Sequence, residues 1–256
     1  MELKDKVVVI TGGSGGIGMA MARAFLGERA HAVVLADLKE PAVRAAAGEL
    51  GCEGAVCDVT DEQQVSRLVR QTLAKYGRID LFCSNAGAGG EGLVIDTDNE
   101  VWQRQWNLHV MAHVYAARAV LPSMVARRDG YLLNTASAAG LLAAIGSGPY
   151  TVTKAAAVKL AEFLAITHAD DGIKVSVHCP QGVDTPMAPR SLGDGQTDGI
   201  IHPDSLARTV VEALRHERFH VLPHPEVEDY VRRKGSDIDR WLAGMRRLRR
   251  RALGKE

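Results

Sequence analysis

Short apolar runs rich in β-branched residues alternate along the chain with longer segments whose apolar residues recur at helical spacing. The short runs predict buried strands, because apolar stretches of this length bounded by turn residues are typical of strands inside a sheet. We expect strands at Val7–Thr11, Ala32–Ala36, Gly54–Val59, Ile79–Ser84, Tyr131–Thr135, Lys174–Cys179 and Phe219–Leu222. The helical patterns cover residues 16–27, 41–50, 61–76, 98–128, 149–169 and 203–216.

This alternation predicts an α/β fold, namely a doubly wound (Rossmann) parallel sheet of seven strands with helices on both faces. The 256 residues favour a single domain over residues 1–256, which buries enough surface to need no disulfide or metal for stability. The longest irregular stretch is Gln181–His202, rich in Gly, Pro, Asp and Ser. Because it follows a strand end where α/β proteins bind ligands, we expect an active-site lid, with disorder as the alternative.

Charge is balanced overall but uneven along the chain. The 31 basic and 31 acidic residues argue against a nucleic-acid-binding protein, which needs a clustered basic excess. The tail from Glu228 to Glu256 nevertheless has ten basic and five acidic residues. Helical spacing of its apolar residues predicts an amphipathic helix over Asp237–Arg251, docked on its own or a neighbouring subunit. Membrane-surface or nucleic-acid contact through Arg246–Arg251 is the alternative. The apolar residues are Ile238, Trp241, Met245, Leu248 and Ala252.

The cysteines and the N-terminus point to a reducing, aqueous environment. The four cysteines form no CxxC pair and lack the spacing of a zinc site, so we expect buried thiols and no bound metal. The first apolar run, Val7–Ile10, is too short for a signal peptide or a membrane span. We therefore expect a cytoplasmic protein without membrane association.

A glycine-rich turn joins the first predicted strand to the first helix. Its glycines fit two patterns, GxGxxG at positions 13, 15 and 18 and TGxxxGxG at positions 12, 16 and 18. Either pattern lets the backbone approach a pyrophosphate, whose charge is stabilised by the free N–H groups of the helix. The expected cofactor contacts in this turn are Gly12, Ser14, Gly16, Ile17 and Gly18.

Polar residues at the next strand ends extend this predicted nucleotide site. Asp37 ends the second strand, where a carboxylate accepts both hydroxyls of an adenosine ribose and repels a 2′-phosphate, which favours NAD over NADP. Its alternative role is to cap the following helix. Asp58-Val59 and Asn85-Ala86-Gly87 lie at the ends of the third and fourth strands. They predict further cofactor contacts, although both are also compatible with ordinary turn chemistry.

A second group of residues carries candidate chemistry. Tyr150 and Lys154 are four residues apart on one predicted helix and therefore share a face, and Ser137 follows the fifth strand. An adjacent ammonium favours the phenolate of a tyrosine, whose free pKa is near ~10. A short hydroxyl such as Ser137 can stabilise charge on a carbonyl oxygen.

With these residues in place, the sequence resembles the short-chain dehydrogenase/reductase family over about residues 3–222. The resemblance implies that Tyr150 is the acid/base, that Ser137 polarises the substrate oxygen, that Lys154 and Tyr150 also contact the cofactor, and that Asn107 holds a relay water. It also implies a homotetramer paired through the helices at 98–128 and 149–169. The matching segments are Thr11–Gly18, Asp58-Val59, Asn85–Gly87, Asn107, Ser137, Tyr150–Lys154 and Pro180–Thr185.

One segment departs from the family pattern. Pro180-Gln181-Gly182 stands where the family has Pro-Gly, so the glycine is displaced by one position. The resemblance implies that Pro180, Val183 and Thr185 contact the cofactor. Gln181 either adds a polar contact to a ligand or is a surface amide.

The predicted substrate pocket is apolar. Its lining suits a hydrophobic alcohol or ketone, and would not pair a phosphate or carboxylate. We expect an NAD-dependent oxidoreductase acting on such small molecules. The alternative is a non-catalytic, redox-sensing module that binds the dinucleotide, but such a module has no need of Tyr150. The expected pocket residues are Leu141, Leu142, Ala143, Ala144, Ile145 and Met187.

Overall fold

The computed structural model describes residues 1–186 and 198–255, in which a seven-stranded parallel sheet has the order β3-β2-β1-β4-β5-β6-β7. This confirms the doubly wound fold. The strands are β1 (Val7–Thr11), β2 (Ala32–Asp37), β3 (Glu53–Val56), β4 (Leu81–Ser84), β5 (Gly130–Thr135), β6 (Ile173–His178) and β7 (His220–Val221).

Helices cover both faces of the sheet and create two apolar cores. On one face α1 and α8 pack together, with Phe25 and Leu206 fully buried. On the other face α3, α5 and α7 bury residues such as Val120 and Ala161. The helices are α1 (Gly16–Gly27), α2 (Glu40–Leu50), α3 (Glu62–Tyr76), α4 (Asn99–Trp106), α5 (Ala112–Arg127), α6 (Ala138–Leu141), α7 (Gly148–His168), α8 (Pro203–Arg215), α9 (Glu226–Ser236) and α10 (Ile238–Ala252), and a 3₁₀ turn covers Val94–Asp96.

Most predicted boundaries differ from the structure by no more than one or two residues, and two differences are larger. The helix expected over 98–128 is divided by a π-helical turn at Asn107–Met111, between α4 and α5. The π turn inserts one extra residue and shifts the phase of the helix only at that point, whereas helical spacing continues on both sides of it, so the pattern predicted one helix. The third strand ends at Val56 rather than Val59, because it is an edge strand with alternating burial.

The strand order brings distant turns together. β1 lies between β2 and β4, so the chain reverses its direction across the sheet at the boundary between β1 and β4. Asn85, just after β4, donates its backbone N–H to the Thr11 hydroxyl at 2.9 Å and its side-chain amide to the Thr11 carbonyl at 3.0 Å. This is the place where open α/β sheets bind ligands.

The C-terminal tail forms the predicted helix. Trp241, Met245 and Leu248 of its apolar stripe are half-buried, whereas Ile238 is 48% exposed and α10 has no fully buried residue. Docking of the stripe on its own subunit is therefore partial, and docking on a neighbouring subunit stays a prediction. Among the described residues no helix is long and apolar enough to span a bilayer. Residues 187–197, half of the stretch predicted as a lid, lie outside the described residues.

Candidate active site

The carboxyl ends of the strands open into a large cleft of about 2060 Å³. Its volume is larger than that of typical small-ligand pockets, about 300–1,000 Å³. The cleft therefore has room for a dinucleotide and a second ligand. All the predicted site residues line it, namely Gly12, Ser14, Gly16, Ile17, Gly18, Asp37, Asp58, Val59, Asn85, Ala86, Gly87, Asn107, Ser137, Tyr150, Lys154, Pro180, Val183 and Thr185.

The glycine turn has steric reasons for its glycines. Gly12 has φ +62°, and a Cβ there would lie 2.8 Å from the Ala86 Cα. A Cβ on Gly18 would collide with the Gly12 carbonyl oxygen. Both positions belong to the TGxxxGxG pattern. Gly15 is the N-cap of α1 and provides no side-chain cap, so the first N–H groups of α1 face the cleft as an anion site.

Asp37 is held at the nucleotide end by hydrogen bonds within the turn. One carboxylate oxygen accepts from the Ser14 N–H at 3.0 Å and from the Ser14 hydroxyl at 2.6 Å. The other accepts from the Leu38 N–H at 2.8 Å. A carboxylate has about four acceptor sites, and three are used by these bonds, so Asp37 retains capacity for one ribose hydroxyl.

The two corners predicted as cofactor contacts also stabilise local structure. The Asp58 carboxylate accepts from the Thr60 N–H at 2.9 Å and from its hydroxyl. Asn85 connects neighbouring strands through Thr11 and accepts from the Thr135 hydroxyl at 3.2 Å. Turn chemistry and a place in the cleft are therefore combined at both corners.

Tyr150, Ser137 and Lys154 meet at the floor of the cleft. Pro149 opens the first turn of α7 and places Tyr150 there, with Lys154 one turn later. Ser137 lies at the N-terminus of α6, where its hydroxyl accepts from the Ala139 N–H at 3.1 Å and donates to the Pro180 carbonyl at 3.4 Å. The Lys154 ammonium lies 5.7 Å from the centroid of the Tyr150 ring and donates to the Thr135 carbonyl at 3.0 Å. The three side chains predicted for chemistry are therefore in one place.

Burial governs the protonation of this group. It raises the pKa of Tyr150 above its usual value, and the nearby Ser137 hydroxyl only partly opposes that effect. Burial also lowers the pKa of Lys154 to about 8. The expected lowering of the tyrosine pKa by the ammonium is therefore absent in the protein alone. Tyr150 is a phenol at neutral pH, and a further positive charge is needed to favour its phenolate.

Asn107 begins the π-helical turn and lines the cleft. Its side-chain oxygen accepts from the Gln103 amide at 2.8 Å. π turns are frequent at functional sites, because the extra residue redirects the side chains around it. Here the turn places Asn107 at the cleft and His109 beneath Tyr150.

His109 is a site residue that the sequence reading missed. Its ring is fully buried and meets the Tyr150 ring edge to face, with centroids 5.5 Å apart. Nε2 accepts from the Ala88 N–H at 3.2 Å, so Nδ1 carries the proton and donates to the Thr153 hydroxyl at 3.0 Å. Thr153 in turn donates to the Pro149 carbonyl at 2.8 Å. This chain of hydrogen bonds fixes the orientation of the tyrosine ring.

The segment after β6, in which the glycine is displaced by one position, borders the cleft. The Pro180 carbonyl accepts from the Ala138 N–H at 2.9 Å. Gln181 lines the cleft, and its side-chain oxygen is buried without a hydrogen-bond partner among the described residues. The interpretation of Gln181 as a surface amide is therefore wrong. A Cβ on Gly16 would lie 2.7 Å from Thr185, so this segment closes over the glycine turn.

The apolar wall of the cleft differs in part from the prediction. Leu142, Ala143, Ala144 and Ile145 line it as expected. Leu141 instead packs against the hydrophobic core. Met187 lies outside the described residues. Sequence reading also missed a further set of lining residues on the tail, which includes Arg240, Trp241, Gly244, Met245, Arg247 and Leu248.

The described residues contain no cluster of three His, Cys, Asp or Glu side chains with the geometry of a metal site. All four cysteines are free, and three of them, Cys57, Cys83 and Cys179, are buried. Burial raises the pKa of the Cys57 thiol to about 11 and that of Cys179 to about 12. These thiols are therefore protonated at neutral pH.

Comparison with known proteins agrees with this geometry. The family model described as short chain dehydrogenase matches residues 6–194. The 1-deoxy-11-beta-hydroxypentalenate dehydrogenase of Streptomyces exfoliatus is 33% identical over 257 residues, which cover 95% of this chain and 92% of that protein. The meso-2,3-butanediol dehydrogenase of Serratia marcescens is 36% identical over 190 residues, which cover 73% of this chain and 75% of that protein.

A solved structure shares the fold over nearly the whole chain. It is a short chain dehydrogenase/reductase from Burkholderia phymatum in complex with NAD, with a TM-score of 0.84 and 28% sequence identity. The match covers 93% of this chain and 96% of that one.

Proposed function

Because this chain belongs to the short-chain dehydrogenase family, we propose that it transfers hydride between NAD(H) and a hydrophobic secondary alcohol or its ketone. The observation that carries the proposal is that Ser137 and Tyr150 line the same cleft as the glycine turn, with the Lys154 ammonium 5.7 Å from the Tyr150 ring centroid. A non-catalytic dinucleotide-binding module would have no use for this pair.

The cofactor end of the cleft fits NAD. The glycine turn leaves space that a Cβ would fill, and the N-terminus of α1 suits a pyrophosphate. Asp37 suits the adenosine ribose and disfavours a 2′-phosphate. The Lys154 ammonium has three N–H donors, of which Thr135 accepts one, so others are available to the nicotinamide ribose. The NAD complex of the Burkholderia phymatum relative supports this choice.

The chemistry proposed for the chain is a proton transfer coupled to hydride transfer. A bound oxidised NAD supplies the hydride acceptor and a positive charge near Tyr150. The Tyr150 phenolate takes the proton of the alcohol hydroxyl as the carbon loses hydride, so a ketone forms. Ser137 donates a hydrogen bond to the reacting oxygen. In the reverse direction the Tyr150 phenol returns the proton, which matches its protonated state at neutral pH.

The apolar substrate class rests on the wall formed by residues 142–145. The names of the two dehydrogenase relatives, a hydroxypentalenate dehydrogenase and a butanediol dehydrogenase, are consistent with hydroxyl-bearing substrates.

The test is Tyr150→Phe, which removes the proton-carrying oxygen and keeps the ring. We expect kcat on a secondary alcohol to fall by about 10² or more, with NADH binding nearly unchanged. The matched control is Tyr115→Phe, since Tyr115 packs against the hydrophobic core. Most of the wild-type turnover surviving in Tyr150→Phe would refute the assigned role.

A further inference from the structure

The tail helix α10 turns an apolar stripe toward the cleft. Trp241, Met245 and Leu248 line the cavity and are half-buried. They lie at i, i+4 and i+7, so they share one face of the helix. Leu242 does not line the cavity and is 49% exposed. The cleft face is therefore distinct from the outer face of the same helix.

The preceding helix α9 anchors the tail beside the candidate chemistry. Lys234 donates to the carbonyls of Leu141 and Leu142, at 2.6 and 3.1 Å, in the segment that follows Ser137. The Tyr230 hydroxyl donates to Asp198 at 2.8 Å, and its ring centroid lies 6.3 Å from that of Trp241. α10 therefore starts next to the apolar wall that Leu142 begins.

The turn between the two helices sets the course of α10. Asp237 separates them with an extended backbone, and its carboxylate accepts from the Arg240 N–H at 2.9 Å as the N-cap of α10. The helix beyond this cap has no buried residue. Its apolar stripe is thus half-buried at the cleft, with the remaining surface facing the cavity.

We propose that the cleft face of α10 is a second apolar wall of the substrate site, and that it selects alcohols with a bulky apolar body. This inference rests on the proposed function. Its occupant is the non-reacting part of the substrate, because the stripe shares one cavity with Tyr150 and with the wall at residues 142–145. Covering both walls with apolar ligand surface removes them from water, which a small alcohol cannot do.

Arginines flank the apolar stripe, and the surface of the stripe itself stays apolar. Arg240 and Arg247 also line the cavity, but both are exposed at its edge. Long arginine side chains cover apolar surface with their stems while the guanidinium groups stay in water. They therefore form the rim of the wall.

The test compares two probe alcohols, decahydro-2-naphthol and 2-propanol, with NAD as cofactor. Trp241→Ala removes a large part of the wall, and we expect kcat/KM for the bicyclic alcohol to fall about tenfold or more. For 2-propanol, which does not reach α10, the value should stay within about twofold of wild type. The matched control is Leu242→Ala on the outer face, which should alter neither alcohol.

A second variant fills the cleft without weakening the fold. A Cβ at Gly244 would have only the Arg247 side chain near it, at 3.9 Å. Gly244→Leu therefore fits the helix, raises its intrinsic helix propensity and narrows the cavity. It should also lower kcat/KM for decahydro-2-naphthol and spare 2-propanol. Thermal melting checks that both variants remain folded.

The outcomes separate this inference from the proposed function. Equal losses for both alcohols, or no loss for either, overturn it. A change in sedimentation without a change in selectivity also overturns it, because a second copy would then cover the stripe.

If the wild type oxidises neither alcohol, the proposed function fails, and calorimetric binding of decahydro-2-naphthol decides. Binding weakened by Trp241→Ala and Gly244→Leu but not by Leu242→Ala supports the wall, whereas absent or unchanged binding overturns it.

Discussion

The Asp37 carboxylate combines a structural and a recognition role. It holds Ser14 of the glycine turn through two hydrogen bonds and still borders the cleft. A single side chain therefore links the shape of the pyrophosphate site to the choice of ribose.

Asp37→Ala should weaken the preference for NAD over NADP about tenfold or more, because juxtaposed like charges cost several kcal/mol. Titrating both dinucleotides against wild type and variant measures the ratio. Ser14→Ala is the control, since it removes the hydroxyl contact and keeps the carboxylate. Tighter binding of NADP than NAD by the wild type would contradict the assignment.

Burial of Lys154 lowers the stability of the folded protein. Burial moves its pKa from 10.5 to about 8, which corresponds to about 3 kcal/mol at 1.36 per pH unit. Lys154→Met removes that cost and loses one hydrogen bond, worth about 1 kcal/mol. We expect the variant without cofactor to melt about 4–8 °C higher at pH 7, and to lose activity.

The pH dependence provides the check on Lys154. Between about pH 8 and 10.5 the unfolded chain keeps the proton and the folded protein does not, so the stability of the wild type rises with pH. The melting difference from Lys154→Met should therefore shrink across this window. Lys159→Met, at an exposed lysine paired with Glu162, should show no such trend. A lower melting point for Lys154→Met at pH 7 would contradict the prediction.

The sequence predicted individual site residues where local chemistry is distinctive. Tyr150 and Lys154 follow from helical spacing, and Gly12 follows from its place after a strand. His109 was missed because a histidine among apolar residues carries no local signal. Its role depends on Ala88 and Thr153, which approach it only in the folded chain.

At the scale of elements, α7 carries an exposed apolar face. Val152, Phe163 and Ile166 lie on one side of it, with Phe163 60% and Ile166 74% exposed. Small residues of the two helices predicted to pair are only partly available for such a contact, since Ala116 and Ala161 are buried in the chain's own core and Ala155 is exposed. We propose that the larger apolar residues of α7 form the contact in a homotetramer.

Phe163→Glu should therefore dissociate the assembly, because a charge would be buried at the contact. Sedimentation velocity at micromolar concentration measures this. Ile95→Glu is the control, since Ile95 is 88% exposed on the 3₁₀ turn and is not part of the apolar face of α7. A wild type that sediments as a monomer would rule out the proposal.

The bounds of an element were predictable where its residues are completely buried, and their prediction failed where the residues are only partly buried. β1 is buried along its whole length and was predicted residue by residue. β3 lies at the edge of the sheet, so apolar residues beyond Val56 belong to a turn rather than the ladder. The helical period of α10 was predictable, but the surface that its stripe faces depends on the path of α9.

At the scale of the whole molecule, buried neutral histidines make the fold sensitive to acid. Burial lowers the pKa of His109 to about 2, and that of His113 and His178 to about 3. Below about pH 6.5 the unfolded chain binds protons that the folded protein cannot, so stability falls as the pH drops.

Each such histidine contributes about 1.36 kcal/mol per pH unit below that point. Between pH 7 and pH 5 the unfolding free energy of the wild type should therefore fall by about 2 kcal/mol more than that of His178→Leu. Urea denaturation at the two pH values measures the difference. His216→Leu, at an exposed position on the surface, is the control. Identical losses in wild type and His178→Leu would disprove the account.

The strand order has a consequence for how the protein can diversify. The residues around the adenosine end, from Gly12 to Gly87, come before those around the reacting end, from Asn107 onward. α10, which we propose as a substrate wall, comes last of all. On that proposal, changes in the tail alter which alcohols fit while leaving the adenosine end intact, so substrate range can drift over evolution while the cofactor stays the same.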